Sequence, residues 1–547
     1  MSAPMRRLFS VSLAVPLLLA LASSGRASGP AALAPVPPVP PVPPEPPEPP
    51  EPAALRAGVR AYRLAHEREI VGELARFVAL RNVAADRADI ARNAEELAGM
   101  LRRRGIAARL LTAGDAPPAV YGELPATSAG GARRTLMVYA HFDGQPADPA
   151  EWKSDPWRPV LRTAAPAAGG REVELASAPS PIPAEWRLYG RAASDDKGPI
   201  VAMLAALDAL RASRVPPSVN LKFFFEGEEE AGSPHLEAIL RRHRGLLAAD
   251  AWVLADGPVH QSRRMQVCFG ARGVTGVDLT VYGPVRALHS GHYGNWAPNP
   301  AALLVQLLAG LRGPDGEIRI AGFYDDVRPP SASERQASAA LPPVEEDLRR
   351  ELQLAWTEGG GERLQELLLR PALNLRGLRA AQVGAQARNA IPSEATASLD
   401  FRLVPDQTPE KVRRLFEEHL RASGFWIADR EPGAETRRAH PRIVRLEWGD
   451  GYPAARTSMD LPVSRAVVRA VEEGVGGPVL RIPSLGGSIP MYLFSGLLGS
   501  PVIILPTVNH DNNQHAADEN LRLQNLWDGI EIFAVLFARL AADWEGS

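Results

Sequence analysis

Near the middle of the chain the run Phe223-Phe224-Phe225-Glu226-Gly227-Glu228-Glu229-Glu230-Ala231-Gly232-Ser233 takes an apolar stretch straight into a knot of carboxylates. Ionised carboxylates at the rim of a core repel one another and are costly unless a cation joins them. Alone, such a run reads as a solvated acidic turn. Other apolar stretches end the same way. Thr135 to Ala140 runs into His141-Phe142-Asp143, and Ala251 to Ala255 into Asp256. Pro501 to Pro506 leads to a polar loop holding His510 and His515, and Asp195-Asp196 stands before Lys197-Gly198-Pro199. Residues two apart on an extended segment face the same way, so His141 and Asp143 can form a ligand and its orienting carboxylate. Cys268 is the one cysteine, which excludes a disulfide within the chain and leaves any metal site to histidines and carboxylates. The chemistry these types support is cation binding with a spare carboxylate to move a proton. Glu228, Glu229 and Glu230 are adjacent, so their spacing leaves open which is base and which is ligand. His235 reads as a solvated helix residue.

The elements that must position these residues follow from periodicity. Leu55 to Leu80 and Asp86 to Arg104 repeat as helices, with Gly105 stopping the second. Ala107 to Thr112 and Val120 to Glu123 read as short strands. Pro199 suits a helix start, Ile200 to Ala212 continues it, and Asp195 or Asp196 could serve as its cap. Strand-plus-helix units recur, and four strands end in acids or histidines. In an open α/β sheet, ligands bind at that edge. A stretch of different character intervenes. Gly273 to Val281 and Ala395 to Leu403 alternate like half-buried antiparallel strands, and Pro441 to Trp448 reads as a closing strand. Asn299 to Leu311 and Pro409 to Ala422 read as helices. This is the pattern of a smaller α+β domain inserted into the larger one, with charged helical material from Pro329 to about Leu378 that has no evident place. The main domain resumes near Pro453 and ends in a helix from Asn525 to Ala542.

At 547 residues the chain is too long for one core. The expected division is a signal peptide at 1–27, a proline-rich linker at 28–53, catalytic segments at 54–272 and 451–547, and the inserted domain at 273–450. Arg6 and Arg7, the apolar run Val11 to Ala22, and small residues from Ser23 to Ser28 are the marks of a secretory signal. An exported protein, periplasmic or secreted, with no stable membrane span after cleavage, is therefore expected. Pro30 to Pro52 is expected to be an extended spacer. A net charge of −2 gives no argument for a nucleic-acid partner.

Taken together, His141-x-Asp143, Gly190-Arg191-x-x-x-Asp195-Asp196-Lys197-Gly198-Pro199, Glu226-Gly227-x-Glu229-Glu230-x-Gly232-Ser233, Asp256, Leu288-His289-Ser290-Gly291, Gly486-Gly487-Ser488-Ile489-Pro490 and His515-x-x-x-Glu519 resemble the di-zinc exopeptidase family. That family includes carnosinase, cytosolic nonspecific dipeptidase, glutamate carboxypeptidase and aminoacylase. Asp-Asp-Lys-Gly-Pro and Gly-Gly-Ser-Ile-Pro are nearest its dipeptidase branch. The resemblance implies an α/β mixed-sheet catalytic domain with an inserted α+β lid and dimerisation domain. It implies two divalent cations, zinc or manganese, with Asp195 bridging, His141 and Asp256 on one, and Glu230 and His515 on the other. Glu229 would be the general base and Asp143 would hold His141. Asp195 is preferred to Asp196, and His515 to His510, on the register of the motifs. In the lid of a homodimer, His289 would reach into the partner's site, and Arg402 would clamp a substrate carboxylate. Asn389 and Ser488 would add polar contacts, although Asn389 departs from the residue expected of the dipeptidase branch. The implied activity is hydrolysis of dipeptides or small peptides with a free C-terminal carboxylate. An N-acyl amino acid amidase is the alternative within enzymes, and a catalytically inactive metal- or peptide-binding protein is the alternative outside them.

Overall fold

The computed structural model describes residues 50–126, 134–487 and 489–544. The expected signal peptide and nearly all of the proline-rich linker lie outside the described residues.

The triple phenylalanine shows why the main sheet forms. In the strand Asn220–Glu226, Phe223 and Phe225 join the apolar cluster on one face, and Phe224 joins the cluster on the other with Tyr139 and Trp252. All three are fully buried, and burial of each such side chain is worth roughly 1.5–3 kcal/mol. Alternation by two therefore seats a continuous apolar run in the middle of a two-faced sheet. The sheet has eight strands in the order Ala107–Leu111, Ala119–Leu124, Asn220–Glu226, Thr135–His141, Ala251–Leu254, Val502–Ile504, Gln266–Cys268, Leu480–Ile482. The central four are parallel; the first two strands join them antiparallel on one side, and on the other Gln266–Cys268 joins antiparallel and pairs in parallel with Leu480–Ile482. One face is covered by the helices Pro52–Val78, Arg87–Arg103, Lys197–Ala212, Pro462–Val475 and Leu523–Trp544. The Leu236–Arg242 helix and the Met491–Leu498 turns cover the other. The second helix starts where its side-chain chemistry says it must, because the Asp86 carboxylate accepts from the amides of Ala88 and Asp89.

Parallel order puts the carboxyl ends of these central strands on one edge. His141 is the cross-strand neighbour of Glu226, and Asp256 lies two residues past the adjacent strand. The edge anticipated from the sequence is thus a single place in space.

A second sheet is built from five strands in the order Ala372–Arg379, Glu394–Leu403, Gly273–Tyr282, Ile443–Tyr452, Trp426–Ala428, antiparallel except for the last pair. The helices Pro300–Leu311 and Pro409–Ala422 pack on it through Leu304, Leu307, Val412, Phe416 and Leu420. A short ribbon pairing Gly270–Ala271 with Ala455–Arg456 marks where the chain enters and leaves this part. The crossing is tight at Gly273, where a Cβ would stand 2.4 Å from the Ala454 amide nitrogen. The architecture is α/β with mixed sheets and an inserted α+β portion, as expected.

The charged segment after Pro329 now has a place. Its helix Ala332–Ala339 leaves the five-stranded sheet and packs on the large core. Ala337 joins one apolar cluster and Leu341 the other, and Glu334 pairs with Arg456 at 3.0 Å with both buried. The guanidinium of Arg363 then ties the carbonyls of Ser338, Leu341 and Pro342 together before the chain returns at Ala372. Among the described residues, no helix is long and apolar enough to cross a membrane.

Candidate metal centre

His141 closes its strand and turns both ring nitrogens to carboxylates. Nδ1 stands 3.3 Å from Asp143 Oδ1, an ion-pair contact outside hydrogen-bond geometry, and Nε2 lies 2.9 Å from Asp195 Oδ1. Asp143 is fully buried and accepts from the amides of Glu229 and Glu230 at 3.1 and 3.0 Å. The carboxylate expected to orient His141 therefore also fixes the turn that carries two of the acids. The other oxygen of Asp195 lies 3.2 Å from His515 Nε2, and that nitrogen is 3.1 Å from Glu230 Oε2. Two triplets result, His141–Asp195–Asp256 and Asp195–Glu230–His515, each with ligand atoms within 4.8 Å of one another. Asp195 belongs to both. A donor set of imidazoles and carboxylates without thiolate fits two hard-to-borderline divalent cations, and cations there would offset the repulsion of the acidic cluster.

The three adjacent glutamates separate by partner. Glu228 goes to His235, Nδ1 to Oε2 at 2.8 Å, so His235 is a paired residue at the start of its helix rather than a solvated one. Glu230 meets His515 and also receives the side-chain amide of Gln145 at 2.8 Å. No hydrogen bond or ion pair to the Glu229 carboxylate is found among the described residues. Asp196, joined to Asp195 by a cis peptide, stands at the helix N-cap without a capping hydrogen bond, and its carboxylate accepts from the His141 amide at 3.3 Å. His510 is exposed and belongs to neither triplet. The loop that presents His515 is bent sharply: Asn513, His515 and Asp518 have φ of 56°, 61° and 60°, a region that residues other than glycine seldom enter. Gln145 was not anticipated. It lies two residues past Asp143, and the same alternation that singled out Asp143 points to it.

The acids and histidines strongly perturb one another. Burial pushes Glu229 well above the usual carboxylate range; Asp256, Glu230 and Asp143 add to this, and His141 opposes it. Burial also raises Asp256 to about 6. For His141, burial works against protonation, but its contacts with Asp143 and Asp195 prevail and lift it well above its ordinary value. Hydrogen bonds to Asp195 and Glu230 raise His515 to about 10. A cation taken up by the same nitrogens displaces their protons.

The residues expected to meet substrate are dispersed. His289 and Asn389 are exposed and lie together, with His289 paired to Ala390 and the Ser290 amide donating to the Asn389 carbonyl at 2.9 Å. No hydrogen bond or ion pair joins either to the metal triplets among the described residues. Arg402 pairs with Asp400 at 2.9 Å. Ser488 lies outside the described residues. Its neighbours are held from behind: the Arg272 amide donates to the Gly487 carbonyl at 3.2 Å, and a Cβ on Gly486 would come 3.0 Å from Leu368 Cδ2. Gly486 is therefore a close-approach glycine rather than one needed for a left-handed turn. Arg272 itself is buried beside Asp400 and Arg402. Burial first, then Arg402, lowers it to about 10. Its side chain donates to the Arg370 carbonyl at 2.7 Å.

Comparison with known proteins agrees with this geometry. Residues 137–539 match the model of peptidase family M20/M25/M40. The Cys-Gly metallodipeptidase dug1 of Schizosaccharomyces pombe is 27% identical over 87% of this chain and 96% of its own. The human Beta-Ala-His dipeptidase is 28% identical over 78% of each. The crystal structure of an M20 family metallo-carboxypeptidase, Sso-CP2 of Sulfolobus solfataricus, superposes with a TM-score of 0.68 at 27% identity, over 87% of this chain and 99% of that one. One expectation is corrected. Export rested on residues 1–27 alone, which lie outside the described residues, and the comparison with the Cys-Gly metallodipeptidase and Beta-Ala-His dipeptidase relatives runs against it; the expectation of a periplasmic or secreted protein does not hold. With a family match over most of the chain, two histidine–carboxylate triplets sharing one aspartate and an α/β fold common to both comparisons, the chain belongs to peptidase family M20/M25/M40 and is a metallopeptidase of that family.

Proposed function

We propose that this protein hydrolyses the amide bond of dipeptides or small peptides that carry a free C-terminal carboxylate. The observation that carries the reading is Asp195, one carboxylate whose two oxygens serve two separate triplets. His141, Asp195 and Asp256 would hold one divalent cation, and Asp195, Glu230 and His515 a second. When bound there, two such ions, zinc by the donor set or manganese, would supply Lewis acidity to the scissile carbonyl and would lower the pKa of an attacking water. Asp143 keeps His141 in its ligating orientation and sets the turn of Glu229 and Glu230. Among the described residues the Glu229 carboxylate has no hydrogen-bond or ion-pair partner. It accepts the proton of the attacking water and returns it to the leaving amine. Arg402 receives the substrate carboxylate through its guanidinium fork, with Asn389 and Ser488 as polar contacts. The five-stranded portion, residues 273–450, acts as lid and dimerisation domain over catalytic segments 54–272 and 451–547. His289 of one chain of a homodimer stabilises the oxyanion formed in the other. The dipeptidases matched above support the substrate class.

The test is hydrolysis by the purified protein of a panel of dipeptides and N-acyl amino acids, with and without chelator and added zinc or manganese. Metal-dependent release from dipeptides is expected. Cleavage of N-acyl amino acids alone would assign an amidase instead. No turnover by protein that holds metal would leave a binding protein.

A further inference from the structure

One fully buried carboxylate near the metal centre has no part in the proposed chemistry. Glu519 is four residues beyond His515 and immediately precedes the strand Asn520–Arg522. Its Oε1 accepts from the Ser194 amide at 3.0 Å, the Ser194 hydroxyl at 2.8 Å and the Asp195 amide at 3.0 Å. Its Oε2 accepts from the Ala192 amide at 2.9 Å and from Arg191 Nη1 at 2.8 Å. The Gly190 amide donates to its main-chain carbonyl at 3.0 Å. A carboxylate offers about four acceptor positions, so these five donors fill it. Its ionised state is compensated by Arg191, itself buried, through a charge-assisted bond.

The geometry gives this carboxylate a task. Asp195 is held at both ends: its amide by Glu519, its two carboxylate oxygens facing His141 and His515. The segment that presents His515 is anchored by the same glutamate four residues later. Two segments more than 300 residues apart in sequence, one bearing the shared aspartate and the other the terminal histidine, are brought side by side by the pairing of Arg187–Tyr189 with Asn520–Arg522, and the Glu519 side chain is what reaches from the second to the Asp195 amide itself.

We propose that Glu519 is the positioning residue of the metal centre, registering Asp195 against His515 so that the two cation sites depend on each other. It touches neither substrate nor cation. The inference rests on the metallopeptidase reading and adds that occupancy of one triplet is tied to the other through the Asp195 loop. Loss of a residue that orients metal ligands weakens cation affinity by roughly 10–100-fold.

Zinc and manganese binding to chelator-treated protein is measured by calorimetry, and bound Mn2+ by electron paramagnetic resonance, for the wild type and for Glu519→Gln. The carboxamide keeps the shape but turns a donor toward amides that also donate. A thermally stable Glu519→Gln protein should bind cations about 10–100-fold more weakly. Its turnover should recover with excess metal while KM for a dipeptide stays unchanged. A folded variant with wild-type affinity for both cations overturns the proposal. If an unpaired Arg191 unfolds the single variant, Glu519→Gln with Arg191→Met removes both buried charges and carries the same expectation. Ser194→Ala, which deletes one donor of the five, should weaken binding by only a few-fold, and a loss as large as that of Glu519→Gln also overturns it. If the wild type binds no divalent cation, the proposed function fails.

Discussion

At the carboxyl edge of the eight-stranded sheet, His141, Asp143, Asp195 and Asp196 are nearly or fully buried and tied to one another by short contacts. On the separate two-stranded ribbon that pairs Leu288–His289 with Ala390–Ile391, His289 and Asn389 stand in solvent, bonded mainly within that ribbon. The two regions face different physical demands. Carboxylates crowded out of water repel, so each must be fixed by donors or by a cation, and an error in placement costs several kcal/mol. A histidine or asparagine that meets substrate late in a reaction cycle is solvated until then and costs little to hold loosely. The contrast teaches that two triplets of metal-ligand type come together within one chain, whereas His289 and Asn389 stand apart from them, with no hydrogen bond or ion pair to either triplet among the described residues.

The comparison can be broken or sharpened experimentally. Chelation should abolish turnover, and His515→Ala should reproduce that loss with reduced metal content, while His510→Ala keeps its metals; metal analysis of both proteins decides it. If His510→Ala is the one that loses metal, the terminal loop has been assigned wrongly. Glu229→Gln should leave the metals in place and lower kcat by roughly 10²–10⁴-fold. Unchanged turnover would remove Glu229 as the base. His289→Ala should cost about 10²–10³ in kcat, the usual loss of an oxyanion donor. Mixing it with Glu229→Ala protein should restore part of the activity, because a mixed dimer has one intact shared site. No recovery, with mixed dimers shown to form, would make the recognition set belong to one chain. Arg402→Ala should raise KM about 10–100-fold, from a lost charged hydrogen bond of about 1.5–3 kcal/mol, with a smaller change in kcat. A smaller effect concerns the frame of the His515 loop. Burial opposes ionisation of Asp511, but Arg187 and Asn509 hydrogen bonds and the charge of Arg522 lower it from 3.8 to about 2. A depressed carboxyl contributes stability above its unfolded pKa and loses it as pH falls toward the folded value. Thermal melts between pH 4 and 2 should therefore steepen for the wild type relative to Asp511→Asn.

Much of the edge was legible in the sequence because strand ends and carboxylates coincide there. Four apolar runs ending in acids or histidines required a common rim, and the structure supplies it. The adjacent glutamates could not be sorted from spacing, since nothing local distinguishes Glu228, Glu229 and Glu230. Their partners His235 and His515 separate them, and His515 is nearly 300 residues away. Gln145 was legible by the alternation that marked Asp143 but carries no charge to draw notice. Glu519 was visible only as the end of a motif, because its five donors come from the other side of the chain. The helix Ala332–Ala339 looked like charged filler, and only its contacts with the large core, through Ala337 and the Glu334–Arg456 pair, show where its buried face goes.

The central sheet joins Ala251–Leu254 to Val502–Ile504, with Trp252 opposite Val502, about 250 residues later. During translation at about 5–20 residues per second, the earlier strand waits roughly 12–50 s for its neighbour. Throughout that interval it offers an unpaired, wholly apolar edge, the kind that seeks other chains. His515 emerges later still, so a chain arrested after the five-stranded portion has all of the first triplet and two of the three members of the second. Newly made protein is therefore expected to depend on chaperones until its last few dozen residues arrive.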